Sequence, residues 1–408
     1  MARVDPKAVL EGRIPGRPPV GLIAGLTVSG LCAVAALGFD LLSGESGFWV
    51  GLLLAVLPIP PLIALALALD RLEPEPPRAL VFAFMWGAGV AVLGALLLNT
   101  AGLLYVTVPI FGEVDGHFVS ATFGAPVIEE TLKGAVLFGM LWLRRNEIDG
   151  FADGLIYAAL VGLGFAMMEN ITYYMRAFEE GGAQQLQAVF ILRGLVMPLS
   201  HPLFTAMTGL GVAYAATHRR GQLLAPAAGL LGAMVLHGLW NGAAATGLGG
   251  LGVVYLLDFC ILLGLIAIVA VERRSTVRRI EAYLPLYAAT GLVTDADVRM
   301  LRSIPARRAA RRWARAVGGP AAGRAMTDYQ LAATELALLH KRADRGVADP
   351  RWFTARRDAL LNLMALARHA FLRTPQMPRA APAGGPPWAP RGPSGFLPPD
   401  LRKRDRPS

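Results

Sequence analysis

Long apolar runs separated by short polar breaks fill the first 271 residues of the chain. The runs fall at roughly 20–42, 48–69, 79–104, 122–143, 152–175, 186–215, 225–245 and 250–271. Each is long enough for a helix across a bilayer, which needs about 20 predominantly apolar residues. The pattern predicts an all-α, polytopic membrane helix bundle of about eight spans. Pro58, Pro60 and Pro61 lie inside the second run, so that helix must kink or break. The first run follows a basic segment, as in a signal peptide. At 18–43 it is longer than an h-region and reads as an uncleaved first span. The stretch 109–120, with Glu113, Asp115 and His117, reads as an exposed loop between spans.

The pattern changes after Val271. Residues 273–373 alternate charged and apolar positions at helical spacing. Segments 329–339 and 357–367 are amphipathic helices that can pair as a hairpin. From Thr374 onward Pro, Gly, Arg and Ala dominate, which predicts disorder. The expected organisation is a cytoplasmic N-terminus at 1–17 and a membrane domain at 18–271, with its functional core at about 79–247. A cytoplasmic helical region at 272–373 and a disordered tail at 374–408 follow.

Composition sharpens this. The chain is 54% hydrophobic with mean hydropathy +0.48, which excludes an ordinary soluble domain. Its net charge of +10 is uneven: Glu272 to the end holds 26 Lys and Arg against 11 Asp and Glu. Such a region suits an anionic lipid surface, and no nucleic-acid module accompanies the arginines. The expected partner of this region is therefore the lipid bilayer, with no nucleic acid. Lys and Arg cluster at the N-terminus, after spans 2, 4 and 6, and after span 8. That alternation places both termini of a multi-pass membrane protein in the cytoplasm. Cys32 and Cys260 allow neither a disulfide framework nor a CxxC metal site.

Against the apolar background a few polar residues stand out. The fourth run carries Glu129, Glu130 and Lys133, with the lysine four and three residues beyond the two acids. Charge at membrane depth costs at least a few kcal/mol per residue, so such groups face a bundle interior or a wet cavity. The fifth run holds Glu169, Asn170 and Tyr173. The sixth holds Arg193 and then His201 between Pro198 and Pro202, which open the helix locally. The seventh holds His237 and Asn241 on one face. At about 1.5 Å per residue, Glu129, Glu169, His237 and Asn241 all lie about 6–12 Å from the outer ends of their spans. Other polar groups read more plainly. Asp149 and Asp153 read as helix caps, Tyr173 and Tyr174 as interfacial aromatics, and Lys133 as a charge partner of the glutamates. Arg193 either pairs with Glu169 or Glu130 or faces a substrate. Carboxylates, imidazoles and an amide in a semi-dry cavity can hydrolyse an amide in two ways. A glutamate can activate water while His and Asn donors stabilise the oxyanion. Alternatively His201, His237 and Glu169 can hold a metal such as Zn2+ with an open position.

Glu129-Glu130-Thr-Leu-Lys133 matches an EExxK motif. With Glu169-Asn170, His201 and His237 on successive spans, it resembles the PrsW family of intramembrane proteases, relatives of the CAAX-type and bacteriocin-immunity membrane proteases. The resemblance covers spans 3–7. It implies proteolysis of membrane-anchored proteins, with anti-sigma factors the best-known substrates. It assigns Glu129 as the water-activating glutamate with Glu130 beside it, His201 as its assistant, and His237 and Asn241 as groups facing the oxyanion. Lys133, Glu169, Asn170 and Arg193 are expected to support them. Prenyl-protease relatives carry EExxxR, whereas Lys133 stands one residue earlier, so prenyl specificity is not carried over. The alternative is a proton- or ion-coupled transporter or a membrane scaffold, since intramembrane carboxylates and Pro-broken helices also build relays. No matching repeat halves accompany them.

Overall fold

The structure is a computed structural model that describes residues 6–10, 20–43, 45–69, 72, 75–344, 346 and 349–372. The tail expected at 374–408 lies outside the described residues. In chain order the helices are α1 (Pro6–Leu10), α2 (Val20–Ser43), α3 (Glu45–Val56), α4 (Ile59–Leu67), α5 (Pro77–Trp86) and α6 (Val92–Gly102). Then come α7 (Val108–Phe111), α8 (Glu113–Val119), α9 (Ala125–Leu143), α10 (Phe151–Phe190), α11 (Ser200–Thr217) and α12 (Leu224–Ala245). The last are α13 (Leu248–Tyr283), α14 (Asp295–Leu301), α15 (Ile304–Asp344) and α16 (Pro350–Leu372). The described residues contain no strand, so the chain is all-α.

Two compact units emerge. One comprises Pro18–Asp70 and Glu75–Val269; the other comprises Met1–Arg17, Arg71–Pro74 and Ala270–Ser408. In the first, large aliphatic and aromatic side chains of α2, α3, α9, α12 and α13 face outward, including Leu31, Trp49, Trp142, Val235 and Leu256. This is the arrangement a lipid environment favours, because the hydrocarbon solvates apolar surface. Among the described residues six helical stretches are long and apolar enough to cross a membrane: Val20–Ser43, Gly47–Leu67, Pro77–Phe111, Phe151–Thr217, Leu224–Ala245 and Gly249–Thr290. The charged α9 falls outside that set, and the fifth and sixth runs of the sequence form the single stretch Phe151–Thr217.

Several boundaries differ from the sequence reading. The expected loop at 109–120 is largely helical, because Gly112 turns the chain at φ +82° and lets α8 fold back on α7. Gly116 then sits against the Val108 backbone. The second run breaks at Pro58, between α3 and α4, as expected. The fifth helix runs on to Phe190, across a kink at Gly182 with φ +63°. The sixth breaks at Met197–Leu199, directly before α11.

The site is positioned by close helix crossings. A Cβ on Gly162 of α10 would lie 2.6 Å from the Pro202 nitrogen, so only glycine admits α11 at this depth. Trp86 Nε1 donates to the Leu132 carbonyl at 2.9 Å and ties α5 to α9. At the N-terminal end of α10, Asp153 accepts from the backbone N–H groups of Asp149 and Gly150, confirming it as a cap.

The other unit has its own core of Ile280, Leu301, Tyr329, Leu336, Leu360 and Met364. α15 folds back on itself at Gly318 and Gly319, and α16 packs along its second leg. The amphipathic segments expected at 329–339 and 357–367 therefore do pair. The arginine-rich region expected to suit an anionic lipid surface thus also encloses a packed core.

Candidate active site

Helix α9 begins with Pro126 in its first turn, where a missing N–H costs nothing. Its buried positions are Glu129, Glu130, Lys133, Gly134, Val136, Leu137, Met140 and Leu141, a stripe of helical period. Val127, Thr131 and Trp142 face outward. The three charges thus share the inward stripe, with Glu129 5% and Glu130 and Lys133 0% exposed.

Lys133 organises the cluster. Its ammonium donates to Glu130 Oε1 at 2.9 Å, to Glu129 Oε2 at 3.4 Å and to His201 Nδ1 at 2.9 Å. All three of its N–H donors are used. Its charge also lies 3.7 Å from the centre of the Phe165 ring. Glu130 is held further by Thr205 Oγ1 at 3.0 Å. It sits 3.1 Å from His237 Nδ1, where a carboxylate draws the proton. His237 thus turns Nδ1 to Glu130 and Nε2 toward Glu129 Oε2, 3.8 Å away. Phe204 stacks on the His237 ring at 5.1 Å and 19°.

His201 is fixed in the same way. An ammonium can only donate, so Nδ1 is the acceptor and Nε2–H points to Glu169 Oε2 at 2.9 Å. Glu169 is paired on its other side with Arg193, whose Nε donates to Asn170 Oδ1 at 2.7 Å. The Arg193 guanidinium stacks on Tyr173 at 3.7 Å. Of the roles open to Arg193, the structure gives the pairing with Glu169. Tyr173 is a stacking partner rather than only an interfacial ring. Asn170, Arg193, Pro198, Ser200, His201 and Trp240 line a cleft where the sixth run is broken. His117 is exposed, as expected.

Two expectations change. The metal set read from the sequence was His201, His237 and Glu169. The ligand atoms that converge, all within 4.8 Å of one another, belong to Glu129, His201 and His237. Glu169 is turned away because Arg193 and His201 already claim its carboxylate. Asn241 was expected beside the oxyanion. Its amide instead donates to the Ala121 carbonyl at 2.8 Å, latching α12 to the π-helical Ser120–Gly124 that leads into α9.

One partner escaped the sequence. Asn99 of α6 donates from Nδ2 to Glu129 Oε1 at 3.1 Å, while its own Oδ1 is buried without a partner. A polar amide in an otherwise apolar third run was the available signal.

Known proteins match the same part of the chain. Residues 75–283, just over half of the chain, match the model of the PrsW family intramembrane metalloproteases. The chain belongs to the PrsW family. The match covers α5 through α13 and so includes every residue of the cluster. The chain is 29% identical over 150 residues to Protease PrsW of Oceanobacillus iheyensis, covering 37% of this chain and 66% of that relative. It is 29% identical over 174 residues to Protease PrsW of Geobacillus kaustophilus, covering 42% and 69%. Protease PrsW of Clostridioides difficile is 29% identical over 157 residues, covering 38% and 62%. The chain thus spans about two thirds of the length of these PrsW relatives. No solved structure matches it significantly. Membership of an intramembrane family and the six apolar stretches together place the chain in a membrane.

Proposed function

We propose that the chain is an intramembrane endopeptidase that hydrolyses a peptide bond of a membrane-anchored protein, an anti-sigma factor being the expected class. The observation that carries this reading is the convergence of Glu129, His201 and His237, from three helices, on one point inside a bundle. Glu129 is the base. It takes a proton from water as the oxygen attacks the scissile carbonyl carbon. The proton passes to His237 Nε2, whose ring is held by Glu130, and from there to the leaving amine nitrogen. His201, locked between Lys133 and Glu169, keeps its place beside the water.

The donor set of two imidazoles and one carboxylate also fits a metal, which Glu129, His201 and His237 would hold, Zn2+ being suited to it. A bound metal would supply Lewis-acid polarisation and a more acidic water. Lys133 competes for the same His201 Nδ1 lone pair. The arginine pattern supports an inner-membrane protein with both termini in the cytoplasm.

The test is cleavage of single-span reporter proteins by the full chain in vesicles, wild type against Glu129→Gln, with and without a chelator. Loss in Glu129→Gln with activity kept in chelator identifies a glutamate-water protease. Loss in both identifies a metal site. Equal cleavage by wild type and Glu129→Gln overturns the reading and favours the transporter or scaffold.

A further inference from the structure

The unit that follows the last apolar stretch carries an unusual run of charge. Between Asp297 and Asp328 there are eight arginines and no acid: Arg299, Arg302, Arg307, Arg308, Arg311, Arg312, Arg315 and Arg324. Three have structural work, Arg311 among them through Gln330. Arg307 is buried on the Leu301 and Leu72 carbonyls and Thr334, and Arg302 pairs with Glu281. Arg308, Arg312 and Arg315 are exposed and have no acidic partner among the described residues. They stand four and three residues apart on one face of the first leg of α15, while Ala310 and Ala314 on the opposite face are buried. Their side chains therefore remain outside the core. Burial above all, and then the neighbouring Arg308, pull the Arg311 guanidinium below its usual range.

The two legs of α15 run antiparallel. Arg307 reaches Thr334, Arg311 reaches Gln330 at 3.2 Å, and Gly323 faces the Arg315 side chain. The turn between them, Ala316 to Ala321, is apolar throughout, with Gly319 at φ +69°. Ala316, Val317, Pro320 and Ala321 are exposed, Val317 by 44%. An exposed apolar tip has no use in water. Arg315 and Arg324 flank it at its base.

We propose that this hairpin tip is a membrane-surface anchor: residues 316–321 enter the headgroup region of an anionic leaflet, and Arg308, Arg312, Arg315 and Arg324 bind lipid phosphates. The combination of an apolar insertion with a basic collar is the chemistry that selects anionic bilayers over zwitterionic ones. The last stretch long and apolar enough to cross a membrane, Gly249–Thr290, runs directly into this unit, so the chain itself tethers it to a bilayer.

The test uses the full chain with Cys32 and Cys260 replaced by Ala and Val317→Cys carrying an environment-sensitive fluorophore. It is placed in nanodiscs of phosphatidylcholine alone or with phosphatidylglycerol. The expected result is a blue-shifted emission in the phosphatidylglycerol discs, reversed by high salt. It should be lost when the four arginines are replaced by Gln and kept when they are replaced by Lys. Equal emission in the two lipids, or a shift that survives the Gln variant, overturns the proposal. So does reversal of the shift by inorganic phosphate at matched ionic strength, which would make the site one for a free phosphate ligand.

Discussion

Both units bury charge, but they bury it differently. In the unit built around α14–α16, Arg307 bonds the Leu301 carbonyl at 2.6 Å, the Leu72 carbonyl at 2.9 Å and Thr334 at 2.7 Å. Arg368 meets Asp297 at 2.8 Å at the start of α14. Arg307 and Arg368 each close on fixed partners rather than on shared space. Around α9, Lys133 likewise spends all its donors, yet Glu129, His201 and His237 still bring ligand atoms to one place. Burial of charge therefore does not mark a site. Convergence of lone pairs does.

Substitutions can break that contrast. The largest effect is expected from Glu129→Gln, which should lower reporter cleavage roughly 100- to 10,000-fold while leaving the amount of folded protein unchanged. Lys133→Met strands two buried carboxylates. It should destabilise the membrane unit by about 3–5 kcal/mol, read as loss of protein surviving detergent extraction. Arg307→Met should act on the other unit alone. It leaves buried acceptors unpaired, at about 3 kcal/mol in total, and should lower that unit's melting temperature while per-molecule cleavage persists. Asn99→Leu sharpens the comparison from the other side. It removes an orphaned acceptor but leaves Glu129 Oε1 one donor short, so stability should fall by only about 1 kcal/mol while kcat falls about tenfold.

The smallest effect concerns pH. Asp328 lies on the second leg of α15, and burial pushes its carboxyl up to about 6, against a pull from Arg324. A raised carboxyl favours the folded state while it is protonated. That contribution is complete below about pH 4 and is lost as pH rises through about 6. The melting temperature of wild type should fall relative to Asp328→Asn over this window; parallel curves would refute the assignment.

Much of this was legible in the sequence. Glu129, Glu130 and Lys133 had to face inward because lipid will not take them, and they do. The order of motifs on successive runs identified the family before any geometry. What remained hidden depended on rotation about helix axes and on single contacts. Glu169 looked as available to a metal as Glu129. Only the position of Arg193, 24 residues later, takes it out of the set. Asn99 has its partner 30 residues away, and no periodicity announces it. The helical 113–119 was masked by its own polar residues, because Gly112 supplies a turn that spacing cannot reveal.

The three-way grip of Lys133 bears on how the protein is made. Glu130 and Lys133 lie on the same helix, so this pair can enter the bilayer already neutralised, before any neighbour arrives. Glu129 then brings the helix one uncompensated charge. Partners from α6 and α12 must be present before that charge is fully housed. Insertion of α9 is thereby coupled to later helices, and an unfinished chain lacks His201 and His237. The polypeptide would acquire its hydrolytic centre only once synthesis has passed α12. Stalled chains truncated before residue 224 should insert α9 less completely than chains extending past residue 245, as glycosylation mapping would reveal.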